Sequence, residues 1–203
     1  MRWVERPEPI ARLAAALQLP GGGSSDFDLN PAVHLPEGRV LRAAAVLVAV
    51  QMVQGRAEVI LTKRSARLLH HPGQIAFPGG KQDAGDPTPV AAALRETHEE
   101  IGLPPDLVQV LGHLPNHETV TGYVITPVLG YVAATFDAVP EPGEVDEVFR
   151  VPLAHLTDPA NFRIEGRSWQ GRLRQYYVVP YGPYYIWGAT ARILRSLADR
   201  VAA

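Results

Sequence analysis

The chain has 203 residues, 46% hydrophobic and 20% charged, with a formal net charge of −2. That is an ordinary globular composition for one domain with a sizeable core, and it gives no general attraction to nucleic acid or to an anionic membrane. The absence of cysteine excludes disulfides, thiolate metal sites and a cysteine nucleophile. The N-terminal MRWVERPEPI lacks the apolar core of a signal peptide, and the longest apolar run, Ala43–Val50, is too short to span a bilayer. A cytoplasmic location is therefore expected.

In chain order, Ile10, Leu13, Ala14 and Leu17 have helical spacing, which predicts a short amphipathic helix over 8–18. The stretch Pro20–Ser25 reads as a flexible break. Residues 1–25 are thus expected to form an N-terminal helix and linker, either an appendage to the main fold or a partner-facing arm, with 26–203 as the principal domain; the small apolar face favours the appendage. Residues 39–53 predict a long, mostly buried strand and Glu58–Lys63 a second, joined by a turn at Gln54-Gly55. A short strand at Gln74–Phe77 runs into Gly79-Gly80.

The segment from Phe77 to Leu103 then joins this glycine turn to a helix. Asp86 or Thr88 is expected to cap it, Pro89 suits its first turn, and Gly102 suits a left-handed end. Val90, Leu94, Thr97 and Ile101 predict the packed face; Glu96, Glu99 and Glu100, at spacings of three and four, are expected on the opposite one. A charged helix face is ordinarily just solvated. Beside a glycine pair that lets backbone approach a ligand, clustered carboxylate oxygens suit a hard divalent cation such as Mg²⁺. Arg95, four residues before Glu99, can hold that carboxylate in place.

Further strands are expected at Val108–Leu114, Tyr123–Ala133 and Val145–Val151, with a turn or short helix at Pro152–Leu156. Phe162–Glu165 and Arg172–Val179 predict a hairpin around Gly166. A second long helix is expected over 188–201, with Ile193, Leu194, Leu197 and Val201 on one face. Strands and two long helices not in strict alternation indicate an α+β layered domain.

Gly80, five residues, Asp86, eight residues, then Arg95-Glu96-Thr97-His98-Glu99-Glu100-Ile101-Gly102-Leu103 resembles the Nudix box, G-x5-E-x7-R-E-U-x-E-E-x-G-U with U aliphatic. Asp86 stands for the first glutamate, one extra residue precedes Arg95, and Thr97 takes an aliphatic position; the first two departures are those of the coenzyme A pyrophosphatase branch. Upstream, Ile60-Leu61-Thr62-Lys63-Arg64-Ser65-Ala66-Arg67-Leu68-Leu69 and on through Gly73 to Phe77-Pro78-Gly79-Gly80 is similar to that branch's signature, L-L-T-x-R-S-x3-R-x3-G-x3-F-P-G-G. Nearly every fixed position is met; Leu69 stands where the second arginine belongs, and Arg67 is a candidate to replace it in space. Tyr185–Arg192 also resembles the branch's C-terminal end.

The resemblance implies a Nudix fold, a mixed β-sheet sandwiched between helices (α/β/α). It implies Mg²⁺- or Mn²⁺-dependent hydrolysis of coenzyme A to 3′-phosphoadenosine 5′-phosphate and 4′-phosphopantetheine. The metal would be held by Glu96, Glu99 and Glu100 with the Gly80 carbonyl. Arg95 would orient Glu99. The general base would come from a box glutamate, Glu99, or from Glu144 at a loop–strand junction, with Glu147 as runner-up.

Read on their own chemistry, Lys63, Arg64 and Arg67 are three cations at a strand end beside the glycine loop, suited to phosphate oxygens. Ser65 is a phosphate donor or a turn cap. The resemblance makes His71, which matches a histidine common in that branch, and Gly79 candidates to touch substrate; His98 is expected to face solvent, and His113 and His117 carry no readable signal. Tyr184 or Tyr185 is a candidate to stack on adenine, although aromatics at this density ordinarily fill core.

The expected partner is a small molecule, the protein being a monomer or homodimer. Three alternatives remain open: a Nudix hydrolase of ADP-ribose or another nucleoside diphosphate-X, a MutT-like role on nucleoside triphosphates, and a non-catalytic nucleotide-sensing module. Against the first, no proline stands near Glu118-Thr119, and no SQPWPFP-like stretch marks an NADH hydrolase.

Overall fold

Strand β2 (Arg42–Val53) is the axis of the molecule. A two-residue turn, Gln54 (φ 48°) and Gly55 (φ 79°), joins it to β3 (Arg56–Arg64), the positive φ pair that matches the twist of a tight hairpin. The computed structural model describes residues 6–33, 38–169 and 171–203. The two strands pair only next to their turn, Val50–Val53 against Arg56–Val59. Beyond it they diverge, and the chain from 75 to 81 fills the gap. There β4 (Ile75–Ala76) pairs with β3, while β5 (Gly79–Lys81) pairs with β2 through Ala45↔Gly80. The glycine pair is thereby fixed inside the sheet at the point where the strands part.

On its other side β2 runs parallel to β8 (Tyr123–Val132), which carries β6 (Val108–His113) and β7 (His117–Glu118) antiparallel along its far edge. On the free side of β3 lies β9 (Val145–Pro152), antiparallel. The result is a mixed sheet with helices on both faces. Its central strand reads as alternation: Ala45, Leu47 and Ala49 join one buried cluster with α2 (Pro89–Ile101), while Val48 and Val50 join another with α4 (Gly188–Ala202). The fold is α+β, in the layered form expected.

Three sequence expectations are corrected here. The N-terminal helix α1 (Glu8–Ala16) is no loose appendage: Ile10 and Leu13 are buried in the same cluster as α4, Ala16 is also buried, and Arg200 of α4 donates to the carbonyls of Ala16, at the end of α1, and Leu19, just beyond it. Within the expected flexible break, Ser24–Ser25 forms β1, parallel to β7. The hairpin turn lies at Gly171 (φ +73°), not at Gly166, which sits inside β10 (Arg163–Trp169) opposite Gln175 of β11 (Arg172–Val178). A one-turn helix α3 (Leu153–Leu156) follows β9. No helix among the described residues is long and apolar enough to cross a membrane.

Candidate active site

Helix α2 begins at Thr88, whose hydroxyl accepts from the Ala91 N–H at 3.1 Å, and ends at Gly102, left-handed (φ 71°), whose N–H donates to His98 O at 2.9 Å. Asp86, the other expected cap, is recruited by Arg95 instead. The Arg95 guanidinium makes paired bonds to Asp86, Nε to Oδ1 at 3.0 Å and Nη2 to Oδ2 at 2.8 Å. Its Nη1 donates to Glu99 Oε2 at 2.9 Å and lies 3.1 Å from Glu96 Oε1, while Nη2 reaches Lys81 O at 3.2 Å. Fork geometry of this kind is specific to arginine. It holds the Asp86 carboxyl below the usual range, helped by the Asp83 N–H. Arg95 is thus a brace that fixes the loop before the helix and two of its glutamates.

Glu100 is different. It lies inward with Ala93, Thr97 and Ile101, only 4% exposed, so the three glutamates do not share the face opposite the core. Its Oε2 accepts from the Gly79 N–H at 3.0 Å, and its Oε1 is 4.0 Å from Arg64 Nη1. Burial pushes its carboxyl up to about 7; Gly79 and Arg64 pull the other way, and the charges of Glu96 and Glu144 add to the rise. Glu96, half-buried, is also raised, first by burial and then, against the pull of Arg95, by Glu99 and Asp83. The two glycines make this close approach possible. A Cβ on Gly79 (φ +143°) would lie 2.4 Å from Ala45 O, and one on Gly80 would lie 2.4 Å from Glu96 Oε2.

Two neighbouring carboxylates that resist ionisation, beside a backbone turn with no side chain, fit a divalent cation, which would favour both charges at once. Glu99 is drawn aside by Arg95 and is 56% exposed. Among the described residues no three His, Asp or Glu side chains converge tightly enough to hold an ion by themselves. The residues that fit are Glu96 and Glu100 with the Gly80 backbone, not the three glutamates as an equal set.

The basic segment splits. Alternation along β3 sends Ile60 to the α2 side and Leu61 to the α4 side, so Arg64 faces Glu100 and Lys63 faces away. Lys63 stands opposite Glu147 of β9, whose Oε1 accepts from the Tyr184 hydroxyl at 2.5 Å. That bond raises the Tyr184 hydroxyl and places the runner-up base on the wrong face for Glu100. Asp146 is the extra residue of a bulge in β9. Its Oδ2 accepts from Ala66 N–H at 2.9 Å, and its carboxyl is held low by that N–H and by Ser65. Ser65 is 1% exposed, and its Oγ accepts from Arg67 N–H at 3.3 Å. Its hydroxyl is thus engaged as a turn cap.

The bulge also sets Glu144 beside the site: its carbonyl accepts from Ser65 N–H at 2.8 Å, its exposed carboxylate is felt by Glu100. Arg67 is exposed and its charge is felt by the Asp146 carboxyl, and Leu69 is 94% exposed. His71 takes a left-handed backbone (φ 54°); burial and the charge of Arg64 push its imidazole down. His98 is exposed, as expected. One face of Tyr184 is covered by Phe149, 3.6 Å away and stacked, and the Tyr185 hydroxyl donates to Glu165 at 2.7 Å.

Sequence reasoning missed a buried network. His117 is fully buried, with Nδ1 2.9 Å from Ser24 Oγ and Nε2 3.3 Å from Asp26 Oδ1. These residues are more than ninety positions apart in the chain, and only the pairing of β1 with β7 brings them together.

Comparison with known proteins agrees with this geometry. Residues 41–171 match the NUDIX domain family. Over 160 residues the chain is 40% identical to an uncharacterized Nudix hydrolase, NudL, of Citrobacter koseri and 38% identical to that of an Enterobacter species, covering 79% of this chain and 83% of each relative. The fold is similar to that of a MutT/nudix family protein from Enterococcus faecalis, with a TM-score of 0.54 over 87% of this chain and 68% of that one at 15% identity. With the matched region spanning the glycine turn, α2 and the sheet that carries them, the chain belongs to the NUDIX family.

Proposed function

We propose that this Nudix hydrolase cleaves the diphosphate of coenzyme A, giving 3′-phosphoadenosine 5′-phosphate and 4′-phosphopantetheine. The observation that supports it is the continuity of the segment 60–80 with the carboxylate site. Arg64 from that segment faces Glu100 at 4.0 Å, and Gly79 at its end donates to the same carboxylate. A basic segment built into the carboxylate site supplies what a substrate with several phosphates needs.

Mg²⁺ or Mn²⁺, bound by Glu96 and Glu100 with the Gly80 carbonyl and help from Glu99, would neutralise the diphosphate and acidify a water. Around it, Gly79 N–H aims Glu100 Oε2, and Arg95 fixes Glu96 and Glu99. Arg64 donates to a phosphoryl oxygen as negative charge grows there. Glu144 takes the proton of the attacking water on its carboxylate, being an exposed acid from outside the helix whose charge Glu100 feels; Glu99 is the alternative acceptor. Lys63, Arg67 and His71, on the same basic segment, are the further groups proposed to meet the substrate.

Incubation with coenzyme A, dephospho-coenzyme A, ADP-ribose and diadenosine polyphosphates in Mg²⁺ and in Mn²⁺, with products identified by mass, tests the proposal. Coenzyme A is expected to give the two named products and the highest kcat/KM. A higher kcat/KM on ADP-ribose would overturn it in favour of the second reading, a hydrolase of another nucleoside diphosphate-X. That reading is favoured by Leu69, which is exposed where the coenzyme A signature has arginine.

A further inference from the structure

The β10–β11 hairpin is a two-stranded sheet apart from the main one, and no described strand pairs with the outer edge of β10. Arg163, Ile164, Gly166, Arg167 and Ser168 along that edge are exposed. An edge of this kind is a template for another strand unless it is blunted.

Asn30 fixes the backbone phase of the hairpin. Its side chain accepts from Gln175 N–H at 2.9 Å and donates to Gln175 O at 2.9 Å. Gln175 therefore turns its backbone groups away from β10. Gly166, directly opposite it, belongs to a pair without hydrogen bonds across the hairpin. Alternation then sends the N–H and C=O groups of Ile164, Gly166 and Ser168 to the open edge, while those of Arg163, Glu165 and Arg167 point to β11.

The charges on this strand alternate in sign along one face: Arg163, Glu165, Arg167. Consider two β10 strands laid antiparallel about Gly166. Gly166 then faces Gly166 of the second copy and Ile164 faces Ser168, outward backbone against outward backbone. Glu165 of each copy stands opposite Arg167 of the other. Sliding one copy by two residues keeps the hydrogen-bond phase but sets Glu165 against Glu165, or Arg167 against Arg167, which destabilises a ladder. Within its own chain Arg167 forms no ion pair among the described residues. It faces Arg174 across the hairpin, and Arg174 is matched by Asp26, whose carboxyl feels its charge. Glu165 of a second copy supplies the counter-charge that Arg167 lacks.

The other face of the hairpin is apolar at the same place. Ile164 and Leu173 are 51% and 69% exposed. Leu173 leans over Gly166, its Cδ1 2.9 Å from where a Cβ there would stand. With no side chain at the crossing point, both Leu173 side chains can cover the glycine pair, flanked by Ile164 from each copy. We propose that β10 joins two copies of this chain in an antiparallel ladder about Gly166, making a four-stranded sheet in the order β11-β10-β10-β11. The contact is isologous, each copy offering the same strand. A ladder this short buries less than a standard interface, so the dimer forms at protein concentrations on the order of 10 µM. The proposal does not depend on which diphosphate is cleaved.

Sedimentation velocity of the full chain over about 1–200 µM tests it, with the folding of each variant checked by circular dichroism. Wild type is expected to pass from monomer to dimer across that range. Arg167→Glu and Glu165→Arg each set like charges opposite one another in the ladder and should stay monomeric. An equimolar mixture of the two restores opposite charges at every 165–167 pair and should dimerise as wild type does, an outcome that misfolding of either variant cannot produce. Ser168→Pro removes an N–H that points away from β11, at an exposed edge position where proline is tolerated, and should weaken association at least ten-fold. A wild type that stays monomeric at about 200 µM, a dimer that persists in both Arg167→Glu and Ser168→Pro, or a mixture of folded charge variants that fails to associate would overturn the proposal.

Discussion

Helices α2 and α4 cover opposite faces of one sheet, and they obey different rules. On α4 every buried position is apolar or small except Thr190, which donates to Ile75 O at 3.1 Å, and the charges stay outside, as in the Arg195–Asp199 pair at 2.8 Å. On α2 the buried face includes a carboxylate, Glu100, and a threonine, Thr97, whose hydroxyl has no hydrogen-bond partner. The first helix is built for stability alone. The second accepts a stability cost at two positions, and a local violation of the packing rule marks where function sits.

That contrast can be broken most sharply at Glu100. Glu100→Gln keeps the shape and the Gly79 contact but removes the charge; turnover of any diphosphate substrate is expected to fall about 1,000-fold, read in steady-state kinetics. On α4 the counterpart is Leu194→Ala, fully buried, which should cost about 2–5 kcal/mol in denaturant unfolding with no selective effect on kcat.

The pH dependence of the metal-free protein separates the helices next. A carboxyl whose folded pKa is raised from 4.5 to about 7 binds more protons folded than unfolded, so its contribution to stability falls as pH rises between those values. The decline should be about 3 kcal/mol in that window, and it should vanish in Glu100→Gln. Thr97→Val replaces an unsatisfied buried hydroxyl by a methyl and is expected to stabilise by about 1 kcal/mol, seen as a higher Tm. Smallest of all, Asp199→Ala, which removes the exposed half of the Arg195–Asp199 pair, should change stability by less than about 0.5 kcal/mol.

The same contrast explains what could be read before folding. The buried apolar run of β2, the Gln54-Gly55 turn, the Thr88 and Gly102 ends of α2 and the box residues are local signals, and each was legible. Glu100 was placed on the wrong side because helical spacing gives relative angles, not which side the sheet will cover; the wedge of Gly79-Gly80 between β2 and β3 decides that. Lys63 and Arg64 read as one cationic patch in one dimension, yet a strand separates them to two faces. Ser24, Asp26 and His117 were invisible because their meeting depends on a parallel pairing between segments far apart in the chain. For α1, a small apolar stripe was enough, since α4 and the sheet supply the rest of the contact.

The central claim is that Glu96 and Glu100 together hold a divalent cation where the diphosphate is cleaved. Titration of the protein with Mn²⁺, followed by the loss of the free-ion electron paramagnetic resonance signal, reads it directly. Wild type should bind Mn²⁺ at least ten-fold more tightly than Glu100→Gln and Glu96→Gln, whereas equal affinity in all three proteins would contradict the account.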